Sequence, residues 1–297
     1  KFFINNRFDF VYINSFFSIN YLIIMFFSRI FLTDKIILAP RGQLSQGAMV
    51  TRKKIKMIYL TLLKPLIKKL VYKYHATTIS EKNEIIKNLA VADSKINILS
   101  NLRFLKIISN KKINKKKGKL NIVFYSRIVP KKNLLLLLKW LARLNNDNIS
   151  LDIYGTVEDK VYFEKCMYEI KNNNLNNSVK YLGFLNSDEV QKKLSVYDFF
   201  ILPTKNENFG HVIIEALYSL VPLILSDKTP FTKDIKLYKI GHLISLQDFN
   251  KFRSLIYNLI RMDNYEYLSY SNKISYFISK FEKKNKLLSK DYLKLFN

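Results

Sequence analysis

The sequence predicts an α/β protein built on parallel sheets. From Leu120 onward, short apolar runs rich in β-branched and aromatic residues alternate with longer segments of helical periodicity. Alternation of this kind is typical of a parallel sheet that helices cover on both faces. A length of 297 residues allows two domains, and a content of 48% hydrophobic residues suffices for a sizeable core.

The first hundred residues show the same alternation less regularly. Strands are predicted at 10–17, 35–39, 75–80 and 95–99, and helices at 18–32, 52–74 and 81–88. The most apolar window, 21–32, is shorter than the roughly 20 residues that a bilayer span needs, so a buried helix is expected there.

The predicted helix 52–74 combines an apolar pattern with many lysines. Its apolar positions recur at spacings of three and four, and they are Ile55, Ile58, Leu62, Leu66, Ile67, Leu70, Val71 and Tyr74. This pattern predicts a core-facing helix with a solvated basic face. The alternative is that the basic face rests on anionic lipid.

A basic run with almost no apolar periodicity, Lys106 to Lys119, is predicted to be an interdomain linker. After it, strands are predicted at 120–126, 149–155, 178–184, 198–203, 222–226 and 241–245, and helices at 132–145, 158–173, 187–196, 210–220 and 247–262. The tail, 265–296, reads as helical and basic.

The charge balance is strongly positive, with 50 Lys and Arg against 23 Asp and Glu and a formal net charge of +27. Such a field attracts nucleic acid, an anionic bilayer or phosphorylated substrates. Codon bias toward Lys, Asn and Ile is the other explanation, and both stay open.

Cys166 is the single cysteine, which excludes an intrachain disulfide and indicates a reducing compartment. The first residue is Lys1 and not Met, so we expect the chain to lack its true start. No signal peptide is recognised in the sequence.

The stretch 198–227 carries the strongest functional signal. It reads as strand, loop, helix and strand, and the start of its helix near Gly210 is a potential anion site. Two carboxylates, Glu207 and Glu215, stand eight positions apart at the carboxyl end of a buried strand, where open α/β sheets bind ligands.

The sequence motif E-N-F-G-x-x-x-x-E-A-L, followed by V-P-L-I-x-S-D, closely resembles the E-x7-E signature of the retaining, nucleotide-sugar-dependent glycosyltransferases of family 4. The resemblance implies the GT-B fold of two facing Rossmann-like domains with parallel sheets, the first of them incomplete here. The implied domains are 1–108 (acceptor side), 109–264 (nucleotide-sugar binding) and a helical tail, 265–297, that packs back on the first domain.

Two cations follow the strand 120–126. Arg127 ends it, and Lys132 stands where the next helix opens. Paired cations there stabilise the negative charge of a departing nucleoside diphosphate. The text S-R-I-V-P-K-K-N resembles the family's diphosphate-binding G-R-x-x-x-x-K-G, with Ser126 and Asn133 in place of glycines.

The resemblance also implies individual roles. The catalytic Glu207 touches the hydroxyls of the donor sugar, and Glu215 takes the ribose diol. Backbone N–H groups at Asn208, Phe209 and Gly210 cradle phosphate. In the first domain, Arg41 stands where many members carry a histidine, and we expect it to hold a phosphate or a sugar hydroxyl.

No Cys, His or acidic cluster with metal-ligand spacing occurs, and no D-x-D run, so neither a metal nor a cofactor is expected. The predicted function is sugar transfer from a nucleotide diphosphate sugar to a saccharide or lipid-linked saccharide, as in surface polysaccharide assembly. The predicted location is the cytoplasm, at the inner face of the plasma membrane. An anionic membrane surface is a predicted partner, and nucleic acid is not. The alternatives are a catalytically silent GT-B scaffold and a basic nucleic-acid-binding protein.

Overall fold

The computed structural model of the chain describes residues 7–50, 52–99, 105–108, 115–207, 209–293 and 295–296. It divides into two compact units. Unit 1 is Lys1–Arg103 with Lys283–Asn297, and unit 2 is Phe104–Glu282. The first boundary therefore falls at 103, against 108 in the sequence prediction, and the last helix is divided between the units.

The described part of unit 1 contains a four-stranded parallel sheet in the order β1-β2-β3-β4. The strands are β1 (Val11–Ile13), β2 (Ile36–Leu38), β3 (Lys73–Ala76) and β4 (Ile96–Ile98), and the helices are α1 (Ile19–Phe31), α2 (Gln46–Val50), α3 (Lys53–Leu70) and α4 (Ile79–Leu89). Right-handed crossovers that all step in one direction place α1, α3 and α4 on one face of this sheet. Ile36 and Leu38 point to that face, whereas Ile37 packs against Leu295.

Several boundaries in unit 1 differ from the prediction. The helix predicted at 52–74 ends at Leu70, because the chain turns there into β3, and Tyr74 is a buried strand residue. The first strand is confined to Val11–Ile13. The short helix α2 was not predicted at all.

The predicted burial is wrong for most apolar residues of α1 and for half of those predicted to face inward from the helix 52–74, whereas Ile67, Leu70, Val71 and Tyr74 are buried as predicted. α1 buries Met25 and Ser28 and exposes most of its large apolar side chains. α3 buries Leu60, Ile67 and Leu70, whereas Ile55, Ile58, Leu62 and Leu66 are exposed. An apolar row at helical spacing shows only that one face of a helix is apolar, and the fold decides which face is covered.

The described part of unit 2 contains a six-stranded parallel sheet in the order β10-β9-β8-β5-β6-β7. The strands are β5 (Leu120–Tyr125), β6 (Ile149–Tyr154), β7 (Val179–Tyr181), β8 (Phe199–Leu202), β9 (Leu223–Ser226) and β10 (Gly241–Ile244), and the helices are α5 (Leu134–Leu144), α6 (Lys160–Asn172), α7 (Val190–Leu194), α8 (His211–Tyr218), α9 (Thr232–Tyr238), α10 (Phe249–Arg261) and α11 (Asn264–Leu293). Every predicted strand of this part is present, and α9 is an addition. The predicted α/β class with two parallel sheets is confirmed.

The strand order of unit 2 reverses between β5 and β8. From β5 the chain builds outward through β6 and β7, and it then returns to build β8, β9 and β10 on the other side. The central strands β5, β8 and β9 are wholly apolar or nearly so, as strands covered on both faces must be. The crevice that such a reversal leaves lies beyond the carboxyl ends of β5 and β8.

The predicted linker is only partly described. Residues 109–114 lie outside the described residues, and the expectation of a fully solvated run is wrong at Lys115. Its side chain is buried and donates to the carbonyl oxygens of Lys116 and Lys119. Burial lowers the pKa of this lysine. Among the described residues, every helix is too short or too polar to traverse a bilayer.

Candidate functional site

The loops that follow β5, β8 and β9 are tied into one layer, which we call the switch-point edge. The backbone N–H of Lys205 and the hydroxyl of Thr204 both donate to the carbonyl oxygen of Lys131, at 2.9 and 3.1 Å. The hydroxyl of Ser226 donates to the Thr204 carbonyl at 2.6 Å. The loop that follows β8 is therefore bonded to the segments that follow β5 and end β9. These bonds position the next residues of that loop.

Lys132 and Glu207 meet in this layer. The Lys132 ammonium donates to Oε2 of Glu207, and the backbone N–H of Glu207 donates to the carbonyl oxygen of Lys228 at 3.0 Å. The two side chains are only 7% and 13% exposed. A charge buried to this degree needs its partner, since each ion alone would pay a large desolvation penalty. The structure thus brings together two of the predicted site residues, from loops 75 positions apart in the sequence.

The replacement of the family's glycines does not disturb this loop. Asn133 adopts φ 62° and ψ 32°, a left-handed conformation that asparagine tolerates better than most residues. The other replaced position is Ser126. There a glycine that directly follows the neighbouring strand β6 lets the two backbones approach each other closely. A Cβ at Gly155 would lie 1.8 Å from the carbonyl oxygen of Ser126. The loop geometry therefore forms with Ser126 and Asn133 in place.

Glu215 lies one turn inside α8. The helix starts after Gly210, which has φ 79°, and a Cβ at this glycine would lie 2.8 Å from Cδ1 of Ile213. Glu215 itself is buried. Phe209 packs against His211, with 4.6 Å between the ring centroids. Asn208, the other predicted member of this loop, lies outside the described residues.

Arg127 has a partner that the sequence analysis did not consider. Its guanidinium forms a salt bridge with Glu158 at 2.9 Å, and the two side chains are 59% and 44% exposed. Glu158 follows β6, which neighbours β5 on the side away from β8. The two predicted cations are thus placed differently, Lys132 in a buried pair and Arg127 in an exposed one.

Arg41 lies at the carboxyl end of β2 in unit 1. It has φ 54°, a strained value for a residue with a side chain. Its Nε donates to Oδ1 of Asn14, and its Nη2 donates to the hydroxyl of Tyr12 at 3.0 Å. Asn14 and Tyr12 come from β1 or its end, so the guanidinium is held at the carboxyl edge of the unit 1 sheet.

Glu81 is a buried acid that the sequence analysis missed. Its carboxylate accepts from the backbone N–H of Gly42 at 2.6 Å and from the N–H and hydroxyl of Thr77. It thereby fixes the turn that carries Arg41. The signal was present, because Thr78 and Glu81 form the T-x-x-E pattern of a capping box at the start of α4.

His75 lies beneath the same edge. Its Nε2 contacts the Leu99 carbonyl oxygen at 2.7 Å, and its Nδ1 contacts the Tyr12 hydroxyl. Burial lowers the pKa of His75. A neutral ring that donates from Nε2 and accepts at Nδ1 satisfies both contacts.

Among the residues that the structure describes, no group of three or more His, Cys, Asp and Glu side chains is arranged to hold a metal ion.

Comparison with known families gives one match by sequence model. The family described as "Glycosyl transferases group 1" matches residues 106–275, which is more than half of the chain. The match includes both ends of the E-x7-E segment and the Lys132 loop.

A curated relative is also similar in sequence. An uncharacterized glycosyltransferase of Methanocaldococcus jannaschii, MJ1607, is 26% identical over 166 residues. This match covers 51% of the chain and 42% of the relative, so it spans less than half the length of that protein.

Solved structures share the fold. HepE (Alr3699) from Anabaena, in complex with UDP and glucose, has a TM-score of 0.73 at 15% identity, covering 96% of this chain and 77% of that one. A mutant of S. aureus TarM, in complex with fondaparinux, alpha-GlcNAc-glycerol and UDP, has a TM-score of 0.66 at 19% identity, covering 92% and 58%. Identities this low show the fold alone, which is GT-B.

Proposed function

Because the chain belongs to the glycosyl transferases group 1 family, we propose that it moves a sugar from a nucleotide diphosphate sugar to a saccharide or lipid-linked saccharide, as in surface polysaccharide assembly. The observation that carries the proposal is the buried Lys132–Glu207 pair at the strand reversal of unit 2. At that position the cation is suited to the diphosphate of a nucleotide sugar, and the carboxylate is suited to the hydroxyls of its sugar.

Lys132 serves the diphosphate in this proposal. An ammonium group has three N–H donors, so it can keep Glu207 and still donate to phosphate oxygens. Negative charge grows on the diphosphate as its bond to the sugar breaks, and a fixed cation stabilises that state more than the ground state. Arg127 also donates to the diphosphate, and to do so it gives up part of its exposed contact with Glu158. N–H groups around Phe209 and Gly210, and of Asn208, complete the phosphate site at the start of α8.

The two glutamates bind the other parts of the donor. Glu207 accepts hydrogen bonds from hydroxyls of the transferred sugar, which orients the anomeric carbon. Glu215 accepts the two ribose hydroxyls, for which a carboxylate is a natural two-point acceptor. Its place on α8, buried within the second turn, supports this assignment.

We assign the enzyme to the retaining, metal-independent hexosyltransferases of family 4. In that reaction the bond between the anomeric carbon and the phosphate oxygen breaks, and the acceptor oxygen bonds to the same carbon on the same face. The acceptor proton passes to the departing phosphate. Arg41, fixed by Asn14 and Tyr12, holds a phosphate or hydroxyl of the acceptor. It does not act as a base, because a guanidinium has five N–H donors and no acceptor.

We place the enzyme in the cytoplasm, peripheral to the inner face of the plasma membrane. The single cysteine and the net charge of +27 support this location.

The test is donor binding followed by transfer. Calorimetry of the full chain against a panel of nucleotide sugars, starting with UDP-glucose, should give saturable binding that Glu207→Gln weakens or abolishes. Glu164→Gln, at an exposed position on α6, is the matched control and should bind normally. Transfer and donor hydrolysis are then measured with the same proteins. Binding without either reaction would favour the silent scaffold, and equal rates for Glu207→Gln and the unaltered chain would remove Glu207 from the mechanism.

A further inference from the structure

The outward half of α1 is apolar and exposed. The helix covers Met25 and Ser28 against the sheet, and the opposite half presents isoleucine and phenylalanine to solvent. Seven side chains of α1 are 44–69% exposed: Ile19, Ile23, Ile24, Phe26, Phe27, Ile30 and Phe31. Phe27 and Phe31 stack on one another at 6.0 Å between centroids. A contiguous exposed surface of this kind marks an interaction site.

α3 extends this surface. It lies beside α1 on the same face of the unit 1 sheet, and its exposed row is Ile55, Ile58, Leu62 and Leu66. These positions follow one another at spacings of three and four, so they line one side of the helix. Together the eleven exposed side chains of α1 and α3 are here called the apolar face.

The charges around the apolar face are mostly positive, and the acids Asp9 and Asp34 lie beside its end at Ile30 and Phe31. Lys54 and Lys69 are exposed and stand at the two ends of the α3 row, and Lys53 and Lys68 adjoin them. Between Asp34 and Glu81 the sequence contains no acid. Asp34 itself is paired with Arg29 at the end of α1, at 2.7 Å. The surroundings of the face are therefore complementary to anionic groups.

We propose that the apolar face docks on an anionic lipid bilayer, with α1 lying in the plane of the interface. Isoleucine and phenylalanine side chains enter the boundary between headgroups and acyl chains, and the α3 lysines contact lipid phosphates. α1 has 13 residues and is about 20 Å long, which is too short to cross a hydrocarbon core of about 30 Å. Both the apolar content of the face and the lysines along α3 are thereby explained.

A second copy of the chain fits the face less well. In a twofold-symmetric pair, the same lysine-bordered surface would meet itself, and the like charges would face each other without an acid on α1 or α3 to pair with them. An anionic bilayer removes this repulsion.

The first experiment is sedimentation of the full chain with vesicles. Binding is expected to vesicles of phosphatidylglycerol and phosphatidylcholine and to be weak with phosphatidylcholine alone. A triple variant, Ile23→Ser with Phe27→Ser and Ile30→Ser, should lower the partition coefficient at least tenfold. The control replaces three apolar residues of unit 2 that are even more exposed, Val161→Ser with Tyr168→Ser and Leu237→Ser, and should bind normally. Absence of binding to anionic vesicles, or an equal loss in the control, would overturn the proposal.

A second experiment locates the contact. Cys166 is buried, and burial raises the pKa of its thiol to about 12, so an environment-sensitive thiol dye should react with an introduced cysteine instead. The dye on Phe27→Cys should shift to shorter wavelength with phosphatidylglycerol vesicles, and the dye on Val161→Cys should not. A shift that needs no vesicles and grows with protein concentration would identify a second copy as the occupant and refute lipid docking.

The inference does not depend on sugar transfer. The triple variant changes only unit 1, so it should bind nucleotide sugar as the unaltered chain does. A chain that binds vesicles but no nucleotide sugar would contradict sugar transfer alone, and the reverse result would contradict lipid docking and the proposed membrane location but not sugar transfer.

Discussion

The carboxyl edges of the two parallel sheets are built differently. In unit 2 the strand order reverses between β5 and β8, and the edge there carries Lys132 and Glu207 in direct contact. In the described part of unit 1 the strands follow in chain order, and the edge carries Arg41, which donates to Asn14 and Tyr12. The acid of that edge, Glu81, is bonded to backbone and hydroxyl groups.

The difference teaches that strand order decides where a charged pair can face a ligand. At a reversal the chain leaves neighbouring strands toward opposite faces of the sheet, and the loops there border a crevice beyond the strand ends. A sheet that runs in chain order has no such crevice, and its buried acid serves to hold a turn. We therefore expect changes at the unit 2 edge to affect catalysis, and changes at the unit 1 edge to affect stability and acceptor affinity.

The largest expected effect is on turnover. Lys132→Ala should lower kcat by about 10²–10³-fold, because the leaving diphosphate loses its buried cation. Arg41→Ala should instead raise the KM for acceptor with a smaller change in kcat. Steady-state kinetics with both substrates varied checks this, with Lys131→Ala at the exposed neighbouring position as the control. A similar kcat loss in both variants would break the comparison.

Glu81→Ala should destabilise unit 1 by about 3 kcal/mol, since it leaves buried N–H groups of Gly42 and Thr77 without an acceptor. Urea unfolding followed by circular dichroism measures the change. Asp93→Ala breaks a pair with Lys82 in which the acid is 70% exposed, and it should change stability by less than about 1 kcal/mol. Equal costs would show that the Glu81 network is not structural.

Gly210→Ala should destabilise unit 2 by about 1–2 kcal/mol, because alanine is strained at φ 79° and its Cβ would crowd Ile213. Gly47→Ala is the contrasting change. That glycine lies in α2 with open space around it, and the substitution should stabilise by roughly 0.5–1 kcal/mol. Thermal unfolding of both variants compares them, and a gain for both would contradict the backbone argument.

The pH dependence of stability should follow the buried histidines. Burial lowers the pKa of His75 below its unfolded value, so the unfolded chain binds the proton more readily. Stability is then fully present above the unfolded pKa near 6.5, and it declines as the pH falls toward the folded pKa. Urea midpoints between pH 7.5 and 5 should fall, and His75→Gln should flatten the slope. His242, also with a pKa lowered by burial, should account for the slope that persists. An identical slope in His75→Gln would exclude this assignment.

The smallest expected effect is that of Asn133→Gly, within about 0.5 kcal/mol. Glycine removes the left-handed strain but gains entropy in the unfolded chain, and the two terms nearly cancel. Asn133→Ala should cost about 1 kcal/mol, since alanine has no such tolerance. A large loss for the glycine variant would mean that the asparagine side chain, and not its backbone, holds the loop.

The candidate site was predictable in part. The E-x7-E spacing and the text S-R-I-V-P-K-K-N identify Glu207, Glu215, Arg127 and Lys132, because these segments are short and each lies within one loop or helix. The pairing of Lys132 with Glu207, and of Arg127 with Glu158, was not predictable, because each joins loops that follow different strands. The roles of these residues in binding and transfer stay predictions.

The amino-acid sequence by itself determined the α/β class, the strands of unit 2 and the residue types at their carboxyl ends, because local periodicity and turn residues encode them. The tertiary structure alone decided that β5 and β8 are neighbours, and that α1 and half of α3 turn their apolar side chains outward. The physical reason is that hydrophobic spacing specifies an apolar face without specifying its partner. Burial and charge pairing arise only when segments distant in the chain are brought together.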